Sequence, residues 1–173
     1  GGTPTSLGLH DLAELGRIIR AHFVPTAECE FTSEANPESL TTGKVRELKA
    51  AGMNRLSIGA QTFDDALLKA IGRRHTSQQT LWAMEFAMEQ EIGNVSLDLI
   101  YALPGQSREQ FVNDLEIAVR LMPEHLSCYE LTYEPDTKLA RARAQTGIGS
   151  LRSCLTQLLA LAVPLGRSSP ASK

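Results

Sequence analysis

The sequence predicts an α/β fold in which parallel strands alternate with helices. Segments with apolar residues at helical spacing alternate with short strand-like runs, and only short links separate them. Strict alternation of this kind is typical of parallel strands joined by helical crossovers. The run at 95–105, VSLDLIYALPG, is mostly apolar and ends in a Pro-Gly turn, which is the pattern of a strand buried on both faces of a parallel sheet.

The first part of the chain supplies one helix, one strand and a second helix. A helix is predicted from about Gly8 to Phe23, because its apolar residues recur on one face. Alternation predicts a strand near 28–34. Asn36-Pro37 then gives a helix start, with Asn as the cap and Pro at the first helical position. Gly52 ends this second helix.

The same unit recurs along the rest of the sequence. Further strands are predicted near 55–60, 95–101 and 125–131. A short helix is predicted at 64–71, and a longer one begins at Thr76 or Ser77. The Met residues and Trp82 of the longer helix are predicted as core rather than as cofactor contacts. Ser107–Gln110 forms a capping box that starts the next helix.

Composition excludes several classes of protein. A net charge of -3 gives no reason to propose nucleic acid or an anionic membrane as a partner. No run of 18 apolar residues is present, so we expect no membrane span. Cys29, Cys128 and Cys154 have no disulfide or metal-ligand spacing, which fits a reducing compartment and a cytoplasmic location. Because the chain starts with Gly1 rather than Met, we expect a processed protein or a fragment.

Polar residues stand at or near the ends of four predicted strands. They are Glu34, Gln61, Asp98 and Thr132. In a parallel α/β barrel these ends point to one face, where barrel enzymes keep their sites. Arg73 lies in a loop that can reach the same face and hold a carboxylate. A ligand with an amine, a carboxylate and hydroxyls would match this set.

Asp98 is the residue that most needs an explanation. An ionised carboxylate inside a buried strand costs several kcal/mol or more unless something pairs with it. Either Asp98 is structural and bonded inside the protein, or it points at a ligand. The polar ends of the other strands favour the second interpretation.

Five segments together resemble the radical SAM family. They are Gly1–Thr5, Glu34–Pro37, Asn54–Gln61, Gly72–His75 and Asp98–Gln106. The branch is that of the oxygen-independent coproporphyrinogen III oxidases and the related haem chaperones. The resemblance implies a partial radical SAM (β/α)6 TIM-like barrel over residues 1–137, with parallel strands.

The resemblance also implies cofactors and the residues that contact them. Gly1, Gly2 and Thr3 correspond to the end of a glycine motif that holds the amino group of S-adenosylmethionine. Further residues fall at positions that contact this cofactor in the family, namely Glu34, Gln61, Arg73, Asp98 and Thr132. The family also carries a four-iron four-sulfur cluster, whose three-cysteine motif lies upstream of the glycine motif. We therefore expect no catalytic residue and no metal ligand in this chain, and no activity from it alone.

One segment near the end of the chain bears on the choice between functional alternatives. Ser127–Thr137 resembles the haem chaperones, which implies haem and haem-receiving proteins as partners of the full-length protein. The oxidase, which decarboxylates its substrate through a 5′-deoxyadenosyl radical, is one alternative. A non-catalytic α/β module that binds a small ligand is another. Residues 138–173 do not resemble the family and are predicted as a divergent basic tail with a helical part followed by a disordered end.

Overall fold

The computed structural model describes residues 2–132, which form a parallel sheet covered by helices. The strands are β1 (Thr32–Ala35), β2 (Arg55–Gln61), β3 (Val95–Tyr101) and β4 (His125–Glu130). They lie side by side in chain order, and every neighbouring pair is parallel. The predicted alternation and strand direction are confirmed. Gly1 and the predicted tail at 138–173 lie outside the described residues.

The described residues contain five α-helices and two single-turn helices, of which the first single turn and the first α-helix precede β1. The α-helices are α1 (Leu9–His22), α2 (Thr42–Ala51), α3 (Asp65–Ala70), α4 (Ser77–Glu89) and α5 (Arg108–Arg120). The single-turn helices are Pro4–Ser6 and Pro37–Ser39. None of the helices in residues 2–132 is both long enough and apolar enough to cross a membrane.

Most helix ends follow the predicted local chemistry. Thr76 and Ser107 each form a complete capping box, at the starts of α4 and α5. Gly52 ends α2 with a φ of 107°, a conformation that favours glycine. The predicted helix start at Asn36-Pro37 gives only a single turn, and the Asn36 side chain makes no capping bond there. Thr41 is the cap of α2, because its hydroxyl accepts from the backbone N–H of Lys44.

The first strand is shorter than the sequence predicts. β1 begins at Thr32, so the prediction of a strand from 28, with Cys29 inside it, is wrong. Asn54 explains the difference: its side chain accepts from the N–H of Phe31 at 2.8 Å and donates to the carbonyl of Cys29 at 2.8 Å. Hydrogen bonds to the Asn54 side chain thus stand where a strand would have backbone hydrogen bonds to its neighbour. The alternation of apolar and polar residues is the same in both cases, so the sequence pattern could not distinguish them.

The two faces of the sheet differ in chemistry. One face packs against the helices through fully buried apolar residues such as Leu56, Ile58, Leu97 and Leu99. The alternate positions carry small or polar residues, including Ser57, Gly59, Ser96 and Asp98. Because successive side chains of a strand point to opposite faces, the polar set lies on the face without the helix-packed core. Met84 is buried as predicted, but Trp82 is 44% and Met88 55% exposed, so the predicted place of these two residues in the core is wrong.

A buried carboxylate fixes the end of β2. Asp114 on α5 is 1% exposed and accepts from the Thr62 hydroxyl at 2.8 Å and from the Phe63 N–H at 2.7 Å. The Gln106 amide donates to the same carboxylate at 3.3 Å. Burial raises the pKa of Asp114, and its hydrogen bonds to Phe63 and Thr62 partly offset that rise. This carboxylate therefore ties the residues just after β2 to α5.

We predict that Asp114→Asn destabilises the fold by about 1.5–3 kcal/mol, because an amide cannot accept all three hydrogen bonds. The free energy of unfolding from urea denaturation measures this loss. Asn113 is exposed on the same helix, so Asn113→Ala is the matched control and should change stability by less than about 0.5 kcal/mol. Equal stability of Asp114→Asn and the wild type would contradict the anchoring role.

The same carboxylate should also give a measurable pH dependence. Because burial raises the pKa of Asp114, the folded chain holds this proton more tightly than the unfolded chain. Its contribution to the free energy of unfolding therefore falls as pH rises above the ordinary carboxyl value of about 3.8. We expect the stability advantage of the wild type over Asp114→Asn to shrink as the pH rises from about 3.8 to the raised pKa of Asp114 in the folded chain. An advantage that grows with pH would contradict the direction.

Candidate functional site

A polar cavity lies where the strands of the sheet end. Its volume is about 240 Å³. It is lined by residues from the first turn, from all four strands and from the loop after α3, namely Thr3, Glu34, Ala35, Asn36, Ser57, Gly59, Gln61, Arg73, Asp98 and Tyr129. The carboxyl ends of parallel strands are the usual place for ligand sites in α/β folds.

Five of the residues predicted from the sequence line this cavity. They are Thr3, Glu34, Gln61, Arg73 and Asp98. Gly2 and Thr132 are described but do not line it, and Gly1 lies outside the described residues. Tyr129 is the residue of β4 that reaches the cavity, and the strand ends at Glu130. Thr132 lies two residues past the end of β4 and is not among the lining residues, so its predicted contact with a cofactor stays a prediction.

Asp98 has an internal hydrogen-bond partner and also lines the cavity. One of its carboxylate oxygens, Oδ2, accepts from the Ser57 hydroxyl on β2 at 2.7 Å. Ser96 on β3 lies 3.5 Å from the other oxygen, a long contact. The residue is half-buried and lines the cavity. Asp98 therefore has an internal partner that orients it, and its remaining acceptor capacity faces the cavity.

Arg73 supplies the positive charge among the residues that line the cavity. It lies just after α3, and its Nη1 donates to Asn36 Oδ1 at 3.1 Å. Asn36 follows β1, so this hydrogen bond joins the loop to the end of that strand. Among the described residues this amide is the acceptor that Arg73 contacts, and one acceptor uses only part of the five guanidinium N–H donors. A carboxylate matches such a fork in bidentate fashion.

Gly59 and Gln61 shape the floor of the cavity at the end of β2. Gln61 has a φ of 67°, and the pairing of β2 with β3 shifts register between these two residues. A Cβ at Gly59 would lie 2.6 Å from Gln61 Nε2. The Gln61 amide therefore occupies the space above Gly59 that any other residue would fill.

Five lining residues were not predicted as site residues: Ala35, Asn36, Ser57, Gly59 and Tyr129. The first four lie within the five segments that carry the family resemblance, and Tyr129 lies in the segment 127–137 that resembles the haem chaperones. Ser57 and Gly59 could have been found from strand alternation, because positions 57, 59 and 61 share one face of β2. Asn36 could not have been found in this way, since its role depends on the loop that carries Arg73.

A second, larger cavity makes a poorer candidate. Its volume is about 630 Å³, and it lies between the end of α1 and the start of β1. Its lining is mainly apolar, including Ile19, Phe23, Val24 and Phe31, with Glu30 as the charged member. None of the predicted site residues lines it. The smaller cavity has the charged and hydrogen-bonding groups that specific recognition needs.

The polar cavity fits S-adenosylmethionine, and the described residues do not fit an iron–sulfur cluster. Glu34 and Asp98 suit an ammonium group and hydroxyls, and Arg73 suits a carboxylate. The lack of a side chain at Gly59 makes room for the Gln61 amide beside the cavity. Within residues 2–132, no group of three His, Cys, Asp or Glu residues could hold a metal ion, and Cys29 and Cys128 are both exposed and free.

Sequence comparison finds curated relatives that are named heme chaperones. The heme chaperone HemW of Bacillus subtilis is 44% identical over 138 residues, which is 79% of this chain and 36% of that protein. HemW of Escherichia coli is 39% identical over 137 residues, again 36% of its length. This chain therefore spans about a third of the length of these curated relatives.

The structural comparison confirms the predicted partial TIM-like barrel. The solved coproporphyrinogen III oxidase HemN from Escherichia coli, a radical SAM enzyme, matches 92% of this chain and 38% of its own with a TM-score of 0.78 and 28% identity. Elp3 from Methanocaldococcus infernus has the same fold at a TM-score of 0.71 and 18% identity. The family model of the radical SAM superfamily matches residues 1–118, more than half of the sequence. The chain belongs to the radical SAM superfamily.

Proposed function

We propose that this chain is the S-adenosylmethionine-binding part of a haem chaperone. The observation that carries the proposal is the polar cavity of about 240 Å³, where groups of opposite charge converge. Two curated relatives at 44% and 39% identity are named heme chaperones, which supports that branch. The full-length protein would act in the cytoplasm and pass haem to a receiving protein.

The lining residues divide the recognition of the cofactor by charge. Arg73 would bind the carboxylate of the methionine part through its free N–H donors. Glu34 and Asp98 would take the ammonium group and the hydroxyls, with Ser57 holding the Asp98 carboxylate in place. Gln61 would add a neutral amide. The bound cofactor supplies a sulfonium-activated adenosyl group, and this chain supplies binding and orientation.

A coproporphyrinogen III oxidase is the second candidate for the full-length protein. The fold match to HemN at a TM-score of 0.78 favours it. The identity to that enzyme is 28%, below the 39% and 44% found with the heme chaperones. These identities support the proposal of the chaperone branch.

We predict that Arg73→Gln raises the Kd for S-adenosylmethionine by at least about tenfold, because it removes a charge-assisted hydrogen bond worth about 1.5–3 kcal/mol. Isothermal titration of the purified chain measures this change. Arg74 is its exposed neighbour and lies outside the cavity, so Arg74→Gln is a control with the same change of charge. Its Kd should stay within about twofold of the wild type. Equal losses in the two variants would show that only the overall charge matters.

Gly59→Ala should weaken the same binding by about fivefold or more, because the new methyl displaces the Gln61 amide. Gly93→Ala is the matched control, since a Cβ there meets nothing within 4 Å. Titration with S-adenosylmethionine, beside urea denaturation of each variant, separates binding from folding. Unchanged affinity in a folded Gly59→Ala variant would contradict the position assigned to Gln61.

We expect this chain to bind the cofactor without cleaving it. After anaerobic incubation with iron, sulfide, reductant and S-adenosylmethionine, 5′-deoxyadenosine should not exceed the amount in a no-protein control. The reason is that residues 2–132 contain no set of three metal ligands. Product above the control would mean that the chain carries a cluster by a route that its sequence does not reveal.

A further inference from the structure

His75 is a fully buried histidine that borders the candidate site without lining it. It lies two residues after Arg73, and its side chain is 0% exposed. Its Nε2 atom lies 3.1 Å from the carbonyl oxygen of Ala60. Its Nδ1 atom lies 3.3 Å from a carboxylate oxygen of Glu38, without the alignment of a hydrogen bond. The imidazole therefore stands between a strand end and a single-turn helix.

The chemistry of these contacts fixes one proton. A carbonyl oxygen only accepts, so Nε2 of His75 must carry the hydrogen that it shares with Ala60. The Nδ1 atom of His75 is buried without a hydrogen-bond partner, and burying a polar atom in this way costs free energy. An apolar side chain of similar volume would fill the space without leaving a nitrogen unpaired. The presence of a histidine here is thus better explained by its hydrogen bond to the Ala60 carbonyl than by packing alone.

The contacts of His75 reach the ends of two segments that line the cavity, and its own loop carries Arg73. Ala60 directly precedes Gln61, whose φ of 67° is unusual for a residue other than glycine. Glu38 lies two residues after Asn36, the acceptor for Arg73. Backbone strain of this kind persists only where surrounding contacts hold it.

We propose that His75 is a positioning residue. It donates from Nε2 to the Ala60 carbonyl and so holds Gln61 in its left-handed conformation. The same bond fixes the loop that carries Arg73 against the end of β2. His75 does not touch the ligand. The effect on cofactor affinity rests on the proposed function, whereas the effect on the geometry of the free chain does not.

Two substitutions separate the donor from the packing. His75→Gln keeps an N–H donor close to the position of Nε2, and His75→Met keeps the volume without a donor. The amide signals of Gln61 and Asn36 in ¹⁵N-labelled chain report the geometry of the cavity without any ligand. We expect His75→Met to shift both sets of signals and His75→Gln to leave them close to those of the wild type. Should His75→Met lose cooperative unfolding, His75→Asn makes the same comparison, because its shorter side chain cannot reach Ala60.

Two results would overturn the inference. One is a folded His75→Met chain whose Gln61 and Asn36 signals match the wild type, and the other is a His75→Gln chain shifted as far as His75→Met. Titration with S-adenosylmethionine adds the functional arm, with an expected loss of about fivefold or more for His75→Met and less than about twofold for His75→Gln. If the wild-type chain fails to bind S-adenosylmethionine, the proposed function fails, and the amide signals still decide whether His75 positions Gln61.

Discussion

The structure of the site depends on how the end of β2 is held. Within a few residues the strand breaks register with β3, adopts a positive φ at Gln61 and leaves the sheet. Asp114 holds the residues after this point by accepting from Thr62 and Phe63. His75 contacts the carbonyl just before it. These contacts come from α5 and from the loop before α4, so long-range polar bonds fix a geometry that β2 alone would not keep.

The unlike faces of the sheet explain why the polar residues collect at one place. Apolar residues of β2 and β3 build the core with the helices, and the positions between them carry Ser57, Gly59, Ser96 and Asp98. The parallel direction of every strand pair then brings the residues near the strand ends to one edge. Charge is balanced there by Arg73, which comes from a loop rather than from a strand. The strands thus position the acidic and amide side chains, and a loop adds the positively charged one.

The sequence was sufficient for the alternation of elements, the strand direction and most helix ends, because these depend on local periodicity and capping. It was also sufficient for Glu34, Gln61, Arg73 and Asp98 as a converging set. It failed where a distant side chain decides the backbone. Asn54 replaces the ladder before β1, and no pattern within 28–34 shows that. The place of Asn36 at the cavity likewise depends on a tertiary contact, its bond to Arg73.

The central claim is that the polar cavity, rather than the larger apolar one, binds S-adenosylmethionine. The most direct measurement is to map the amide shifts of ¹⁵N-labelled chain during titration with the cofactor. The account predicts that the shifts concentrate on Gly59, Gln61, Arg73 and Asp98. Shifts concentrated instead on Ile19, Phe23 and Phe31, around the cavity of about 630 Å³, would contradict it.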